Sequence, residues 1–138
     1  MKRVIAKAII KRSDNRMLFL YRNDTHPNFP GHLDLPGGEV EVEENYTYAV
    51  VREIQEETSI VVKIDSLIKI FDKAYDNENH IIYSISLDEL SPNIKLSWEH
   101  SDYNWLSKTE LLEKKIPKNV DKYFLNVIDY LKTNEVDY

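Results

Sequence analysis

Short apolar runs separated by a polar turn form the first part of this chain. Arg3–Arg12 is rich in Val, Ile and Ala, and Met17–Tyr21 resumes the apolar pattern after the turn signal Ser13-Asp14-Asn15. Apolar runs bounded by such turn residues predict two strands of a hairpin. His32–Leu35 is short and extended and ends at Pro36. The chain is therefore predicted to begin with β-structure.

Further strands are predicted in the second half of the chain. Ile60–Tyr75 and His80–Leu87 alternate well enough for two strands, and the polar stretch Asp76–Asn79 predicts the turn between them. Tyr103–Leu106 is a short apolar run that predicts one more strand.

A helical period replaces this alternation in three segments. One runs from about Glu44 to Thr58, and a second, Lys108–Lys114, is opened by the capping box Ser107-x-x-Glu110. In Val120–Lys132 apolar residues recur every three or four positions, which is typical of an amphipathic helix that packs on a sheet. Strands flanked by helices predict an α/β fold.

Length, charge and cysteine content narrow the class of protein. The 138 residues predict a single domain, 1–138, with a proper hydrophobic core. No apolar run approaches the roughly 18 residues of a membrane span, and Lys7 and Lys11 interrupt any signal-peptide core. Cysteine is absent, which excludes disulfides and thiolate metal sites. The expectation is a cytoplasmic protein without membrane association. The net charge of −6 argues against binding long nucleic acids but not a small nucleotide.

Three carboxylates are crowded on the first predicted helix. Glu53, Glu56 and Glu57 fall within an arc of roughly 100°. Like charges at this spacing destabilise a helix, and a hard divalent cation removes the repulsion and prefers carboxylate ligands. A solvated acidic surface helix is the plain alternative, but it does not need the turn Gly37-Gly38 that precedes this one. The pattern indicates a metal site for phosphate chemistry.

The spacing of these residues resembles a known motif. From Gly38 to Ile60 it reads G-x5-E-x7-R-E-U-x-E-E-x-S-U, where U is aliphatic, and Leu35-Pro36-Gly37 precedes it. This resembles the Nudix box of the Nudix hydrolase family. Two positions depart from it, since Ser59 stands where the family has glycine and Glu43 where many members have glycine. The resemblance implies a Nudix-type α/β/α sandwich with a mixed β-sheet.

The resemblance also implies a metal site. Its ligands for Mg²⁺ or Mn²⁺ would be Glu53, Glu56, Glu57 and the backbone at Gly38, with Glu53 as ligand or catalytic base. Arg52 is four residues before Glu56, so it can pair with that carboxylate and hold its rotamer.

The remaining residues of the motif are predicted to support this site. Gly37 lets the preceding turn approach the helix closely, because glycine lacks a Cβ. Glu44 is predicted to begin the helix, where a carboxylate also suits the helix dipole.

A second segment adds a further candidate base. Glu99-His100-x-x-Tyr103-x-Trp105-Leu106 resembles a segment of several Nudix subgroups, in which a glutamate from this loop reaches the metal-bound water. Glu99 is therefore the alternative to Glu53 as base, and His100 is a weaker candidate. Arg22, at the end of the second strand, is predicted to contact substrate phosphate.

The sequence predicts a metal-dependent pyrophosphohydrolase that cleaves a nucleoside diphosphate linked to another moiety. Its small-molecule substrate would be a nucleoside triphosphate, a dinucleoside polyphosphate or a nucleotide sugar. ADP-ribose is less favoured, because the chain has no room for the extra domain of many enzymes that use it. A non-catalytic nucleotide sensor is the alternative, although such domains often lose box glutamates that this chain keeps. A prenyl diphosphate isomerase of this fold is also less favoured, because that subgroup usually needs a cysteine and this chain has none.

Overall fold

The computed structural model describes residues 2–133, which form a sheet with helices on both faces. The strands are β1 (Arg3–Lys11), β2 (Met17–Arg22), β3 (Leu33–Asp34), β4 (Gly37–Glu39), β5 (Ile68–Ala74), β6 (Glu78–Ser86) and β7 (His100–Leu106). The helices are α1 (Tyr46–Thr58), α2 (Lys108–Glu113) and α3 (Lys122–Thr133), and a short 3₁₀ turn covers Ile64–Ser66. None of the helices within the described residues is long and apolar enough to cross a membrane.

The sheet is mixed, as predicted. Its order is β3-β2-β1-β6-β5, with β4 paired to β1 and β7 paired to β2. β1 and β6 are parallel from Arg3 opposite Glu78 to Lys11 opposite Ser86. The other pairs are antiparallel. The long parallel pair forms the centre of the sheet.

Alternation along the central strands produces two apolar faces, since successive side chains point to opposite sides. One face packs on α1 through Ala6, Ala8, Ile10, Leu18, Leu20, Val50, Ile54, Ile81 and Ile85. The other packs on α2 and α3 through Ile9, Met17, Phe19, Ile82, Leu111, Phe124, Val127 and Leu131. This arrangement confirms the predicted α/β/α sandwich.

The two strands of the first hairpin separate to admit a third segment. β1 and β2 pair at Lys11 and Met17. Further along, β3 pairs with β2, and β4 pairs with β1 at Ile5–Lys7. Residues 33–39 therefore cross from β2 to β1 and fill the gap between them. This crossing places Gly37 and Gly38 at an opening in the sheet beside α1.

Helix α1 begins at Tyr46, so the prediction that Glu44 begins it is wrong. Asn45 has extended backbone angles, φ −68 and ψ 139, and its side chain accepts hydrogen bonds from the backbone of Thr47 and Tyr48. An asparagine that satisfies the first free N–H groups is a strong helix start. Glu44 therefore lies outside the helix.

The strands after α1 also differ from the prediction. The strand expected from Ile60 begins at Ile68, because Ile64–Ser66 forms a 3₁₀ turn in which Ser66 Oγ donates to the Lys63 carbonyl (2.6 Å). β6 begins at Glu78, since the backbone N–H of Tyr75 bonds the Glu78 carbonyl (2.8 Å) and closes the turn early.

Candidate active site

Arg52 lies at the centre of an acidic cluster on α1. Its Nε and Nη2 donate to the two carboxylate oxygens of Glu44 at 2.6 and 2.9 Å. Its Nη1 donates to Glu53 (3.0 Å) and to Glu56 (3.2 Å), which confirms the predicted pairing with Glu56. The hydrogen bond to Glu44 is the largest of the effects that raise the pKa of Arg52. One guanidinium thus holds three carboxylates in defined positions.

Glu44 supports the site in a different way from the one predicted. Besides its two-pronged pair with Arg52, it accepts a hydrogen bond from the Glu41 backbone N–H (3.0 Å). Glu44 lies before the Asn45 cap, and Arg52 lies in the second turn of α1. Their ion pair therefore connects the loop before the helix to the helix itself.

Glu57 is buried against the glycine strand β4. It is 3% exposed, and its Oε1 accepts a hydrogen bond from the Gly37 N–H at 2.8 Å. Burial raises the pKa of Glu57 well above its usual value; the charge of Lys7 opposes this shift, and Asp34 adds to it. A Cβ on Gly37, which has φ +132, would lie 2.3 Å from the Ala6 carbonyl oxygen. This close approach requires glycine.

Glu53 lies against the next glycine. A Cβ on Gly38 would be 3.2 Å from the Glu53 carboxylate, so the backbone of β4 and this carboxylate are in near contact. Burial raises the pKa of Glu53; Arg52 opposes the shift, and repulsion from Glu56 and Glu99 adds to it. Glu53 is therefore a stronger base than an ordinary glutamate.

The loop that carries Glu99 is fastened next to α1. The Ser97 N–H donates to the backbone carbonyl of Glu57 (3.2 Å), and the Asn23 N–H donates to that of Glu99 (2.8 Å). The Glu99 carboxylate lies 3.8 Å from His26 Nε2. The loop also holds Trp98, whose side chain is 69% exposed. Two residues far apart in sequence, Glu57 and Glu99, are thus brought to one place.

A cavity of about 580 Å³ joins these elements, and we refer to it as the inner cavity. Its lining includes Gly37, Gly38, Glu57, Glu99 and Arg22. Of the remaining predicted residues, Glu53 lies beside this lining against Gly38, and Glu56 is 57% exposed on the outer side of α1.

Beneath the inner cavity lies a buried network that the sequence analysis missed. Asp34 is 2% exposed and accepts hydrogen bonds from Lys7 Nζ (2.8 Å), Arg22 Nη2 (3.2 Å) and the Tyr123 hydroxyl, and it bonds His100 Nε2 (2.9 Å). Burial alone would raise the pKa of Asp34, but Lys7, His100 and Arg22 outweigh it and hold the pKa well below 3.8. The network places the paired side chains of Lys7, Arg22 and Asp34 on the lining of the inner cavity.

The predicted phosphate residue Arg22 belongs to this network. Besides Asp34 it pairs with Asp121 (3.2 Å) and donates to the Asn28 carbonyl (3.1 Å). His100 likewise faces Asp34. One sequence signal pointed to the network: Lys7 interrupts an apolar strand, and a buried lysine needs a buried partner.

The donor set suits a hard divalent cation. Within residues 2–133 no three His, Asp or Glu side chains already converge as a complete metal site. Glu53, Glu56 and Glu57 nevertheless lie within two helical turns, and both Glu53 and Glu57 have a raised pKa. Burial is the main cause of both shifts, and a cation beside these carboxylates would offset the cost of burying their charge. Carboxylate and backbone oxygens are the ligands that such a cation prefers.

The protein is thus an α/β/α sandwich in which the glutamates of α1 lie against Gly37 and Gly38 of β4. The family model described as NUDIX domain matches residues 1–127, and the chain belongs to the Nudix family.

Individual relatives agree with this assignment. A protein named ADP-ribose pyrophosphatase from Methanocaldococcus jannaschii is 34% identical over 123 residues, covering 84% of this chain and 71% of that protein. A MutT-like protein from Streptomyces ambofaciens is 27% identical over 129 residues, covering 93% of this chain and 76% of that protein. The structure of a MutT protein from Methanosarcina mazei shares the fold, with a TM-score of 0.71 and 24% identity over 95% of this chain and 93% of that one.

Proposed function

We propose that this Nudix domain is a metal-dependent pyrophosphohydrolase that cleaves a nucleoside diphosphate linked to another moiety. It hydrolyses phosphoric anhydride bonds, with Mg²⁺ or Mn²⁺ as cofactor. One observation carries the proposal: Arg52 aligns the glutamates of α1 while Gly37 and Gly38 bring the backbone of β4 against Glu57 and Glu53.

The residues divide the chemistry between them. Glu53, Glu56, Glu57 and the backbone at Gly38 would hold the ion. When bound, the ion neutralises charge on the phosphate oxygens and lowers the pKa of the attacking water. Arg52 keeps the carboxylates in position.

Hydrolysis then requires a base. Water attacks phosphorus, the bond from that phosphorus to the bridging oxygen breaks, and the water proton passes to a carboxylate. The products are a phosphomonoester and a second phosphate-bearing product. The raised pKa of Glu53 favours it as the base, because base strength rises with pKa. Glu99, on the lining of the inner cavity, is the alternative.

Four classes of nucleotide are candidate substrates. Nucleoside triphosphates, dinucleoside polyphosphates and nucleotide sugars all contain the required linkage. The Methanocaldococcus relative named ADP-ribose pyrophosphatase adds ADP-ribose to them.

A nucleotide panel tests the proposal. The protein is incubated with representatives of each class in Mg²⁺, in Mn²⁺ and with a chelator, and the products are resolved by chromatography and ³¹P NMR. We expect release of a nucleoside monophosphate with metal and none with chelator. Binding of nucleotides without turnover would instead establish the non-catalytic sensor, and turnover in the chelator would contradict the metal requirement.

A further inference from the structure

His26 lies beside Glu99 on the lining of the inner cavity. It belongs to the loop between β2 and β3, whereas Glu99 directly precedes β7. The His26 side chain is 14% exposed, the Glu99 side chain is 37% exposed, and His26 Nε2 is 3.8 Å from Glu99 Oε2. A mostly buried imidazole therefore faces a carboxylate that is a candidate base.

One asparagine fixes the backbone of both residues. The Asn23 N–H donates to the Glu99 carbonyl (2.8 Å), and the Asn23 carbonyl accepts a hydrogen bond from the His26 N–H (2.9 Å). Asn23 Nδ2 also donates to the Trp98 carbonyl (3.0 Å). The two loops are thus joined at Asn23, and this connection sets the separation of His26 from Glu99.

Hydrogen bonding determines which ring nitrogen of His26 carries the proton. The backbone N–H of Asn28 donates to His26 Nδ1 (3.0 Å), so Nδ1 presents its lone pair to that donor. In a neutral imidazole with this partner the proton is on Nε2. His26 Nε2–H is therefore a donor directed at the Glu99 carboxylate.

Glu99 needs such a donor to stay at the cavity. Its charge adds to the raised pKa of Glu53, so the two carboxylates repel each other. Because the Glu99 side chain is partly exposed, this repulsion favours its rotation into solvent. The 3.8 Å separation exceeds a hydrogen bond by less than about 1 Å, and a small rotation of the carboxylate toward His26 closes it.

We propose that His26 is a positioning residue that holds the Glu99 carboxylate in the inner cavity through Nε2–H. It acts through Glu99, and it adds the loop between β2 and β3 to the proposed active site. This inference rests on the proposed function and deepens it.

Two substitutions separate the roles of the two ring nitrogens. His26→Asn places an amide oxygen near the position of Nδ1, so it keeps the hydrogen bond from Asn28 but does not reach Glu99. His26→Gln places an amide nitrogen near the position of Nε2 and keeps a donor for Glu99. With the nucleotide and metal that give the highest turnover, His26→Asn should lower kcat about fivefold, and His26→Gln should stay within about twofold of the parent. KM and metal affinity should change little in both.

A second background tests whether His26 acts through Glu99. In Glu99→Ala the further change His26→Asn should alter kcat by less than about twofold, because residues that act as a unit are not additive. The matched control is Asp24→Asn, which is exposed on the same loop and does not line the inner cavity, and it should keep the parent kcat.

The outcomes separate this inference from the proposed function. Parent-like turnover of His26→Asn, equal losses in His26→Asn and His26→Gln, or a full loss in the Glu99→Ala background would overturn the positioning role and leave the proposed function intact. Failure of the parent to hydrolyse any nucleotide would refute the proposed function, and the positioning role with it.

The tautomer has a readout of its own. Imidazole ¹⁵N NMR at mildly alkaline pH should show the His26 proton on Nε2, with the signals identified by their loss in His26→Asn. A proton on Nδ1 would contradict the donor to Glu99 and overturn the inference without any measurement of turnover.

Discussion

At the scale of single residues, the proposed metal site depends most on Glu57. Its carboxylate is buried, bonded to the Gly37 N–H, and carries a pKa that burial raises well above the usual value. A buried carboxylate costs stability unless a cation or hydrogen bonds compensate for it. Glu57 is such a destabilising carboxylate, and it lines a cavity. This combination is typical of a functional residue.

Replacement of this charge should abolish most of the activity. Glu57→Gln keeps the side-chain size and an oxygen that can accept from Gly37, but it removes a ligand charge. Turnover should fall at least about a hundredfold, equivalent to about 2.7 kcal/mol of transition-state stabilisation. Folding, followed by circular dichroism, should stay intact. The control is Glu113→Gln, an exposed carboxylate on α2. Turnover of Glu57→Gln within threefold of the parent would rule out Glu57 as a ligand.

The choice between Glu53 and Glu99 as base is also a single-residue question. If Glu53 is the base, Glu53→Gln should lower kcat by about 10²–10⁴, and Glu99→Gln should have a small effect. Metal titrations must accompany the kinetics, because loss of a ligand also lowers the rate at fixed metal concentration. A large kcat defect in Glu99→Gln at unchanged metal affinity, with Glu53→Gln nearly active, would reverse the assignment.

At the scale of elements, two residues with left-handed backbone angles flank helix α1. Ser59, at the end of the helix, has φ 68, and Glu43, before the helix, has φ 67. These are the two positions where the chain departs from glycine in the family pattern. A residue with a Cβ pays roughly 1–2 kcal/mol for this conformation. The strain therefore lies at the two ends of α1 and not at the glutamates proposed to bind metal.

Glycine at these two positions should relieve that strain. Glu43→Gly should raise the free energy of unfolding by up to about 1 kcal/mol. Ser59→Gly should gain less, since Ser59 Oγ donates to the Lys95 carbonyl (3.1 Å) and glycine loses that bond. Urea denaturation measures both, with turnover expected to change little. Val42→Gly, at an exposed position without positive φ, is the control and should destabilise. A clear loss of stability in Glu43→Gly would refute the strain argument.

At the scale of the whole molecule, Asp34 connects elements that are distant in sequence. Its partners lie on β1 (Lys7), β2 (Arg22), β7 (His100) and α3 (Tyr123). Removal of one member of a buried charge network leaves the others uncompensated and typically costs about 3–5 kcal/mol. The network therefore contributes to global stability as well as to the cavity lining.

This contribution should depend on pH. The pKa of Asp34 in the folded protein lies well below 3.8, so its stabilisation is fully present above that value and is lost as the pH falls below it. The difference in unfolding free energy between the parent and Asp34→Asn should be constant near neutral pH and shrink below about pH 4. Asp88→Asn, at an exposed position after β6, is the control and should change stability little across the same pH range. A difference that does not shrink in acid would contradict an ionised Asp34.

Much of the fold and part of the site could be predicted from local patterns. Apolar runs bounded by turn residues predicted β1 and β2, the capping box predicted α2, and the spacing of Glu53, Glu56 and Glu57 placed them on one helix. Each of these features depends on residues within a few positions of one another. Where the local signals competed, as at Glu44 against the Asn45 cap, the predicted boundary was wrong.

Tertiary structure alone decided how these elements meet. No local pattern indicates that residues 33–39 fill the gap between β1 and β2 or that Arg22 pairs with Asp34. The reason is physical: periodicity records which face of an element is apolar, whereas a buried charge is tolerated only where the folded chain brings its partners to it. The carboxylate helix was therefore determined by the sequence, and the cavity beside it was determined by the packing.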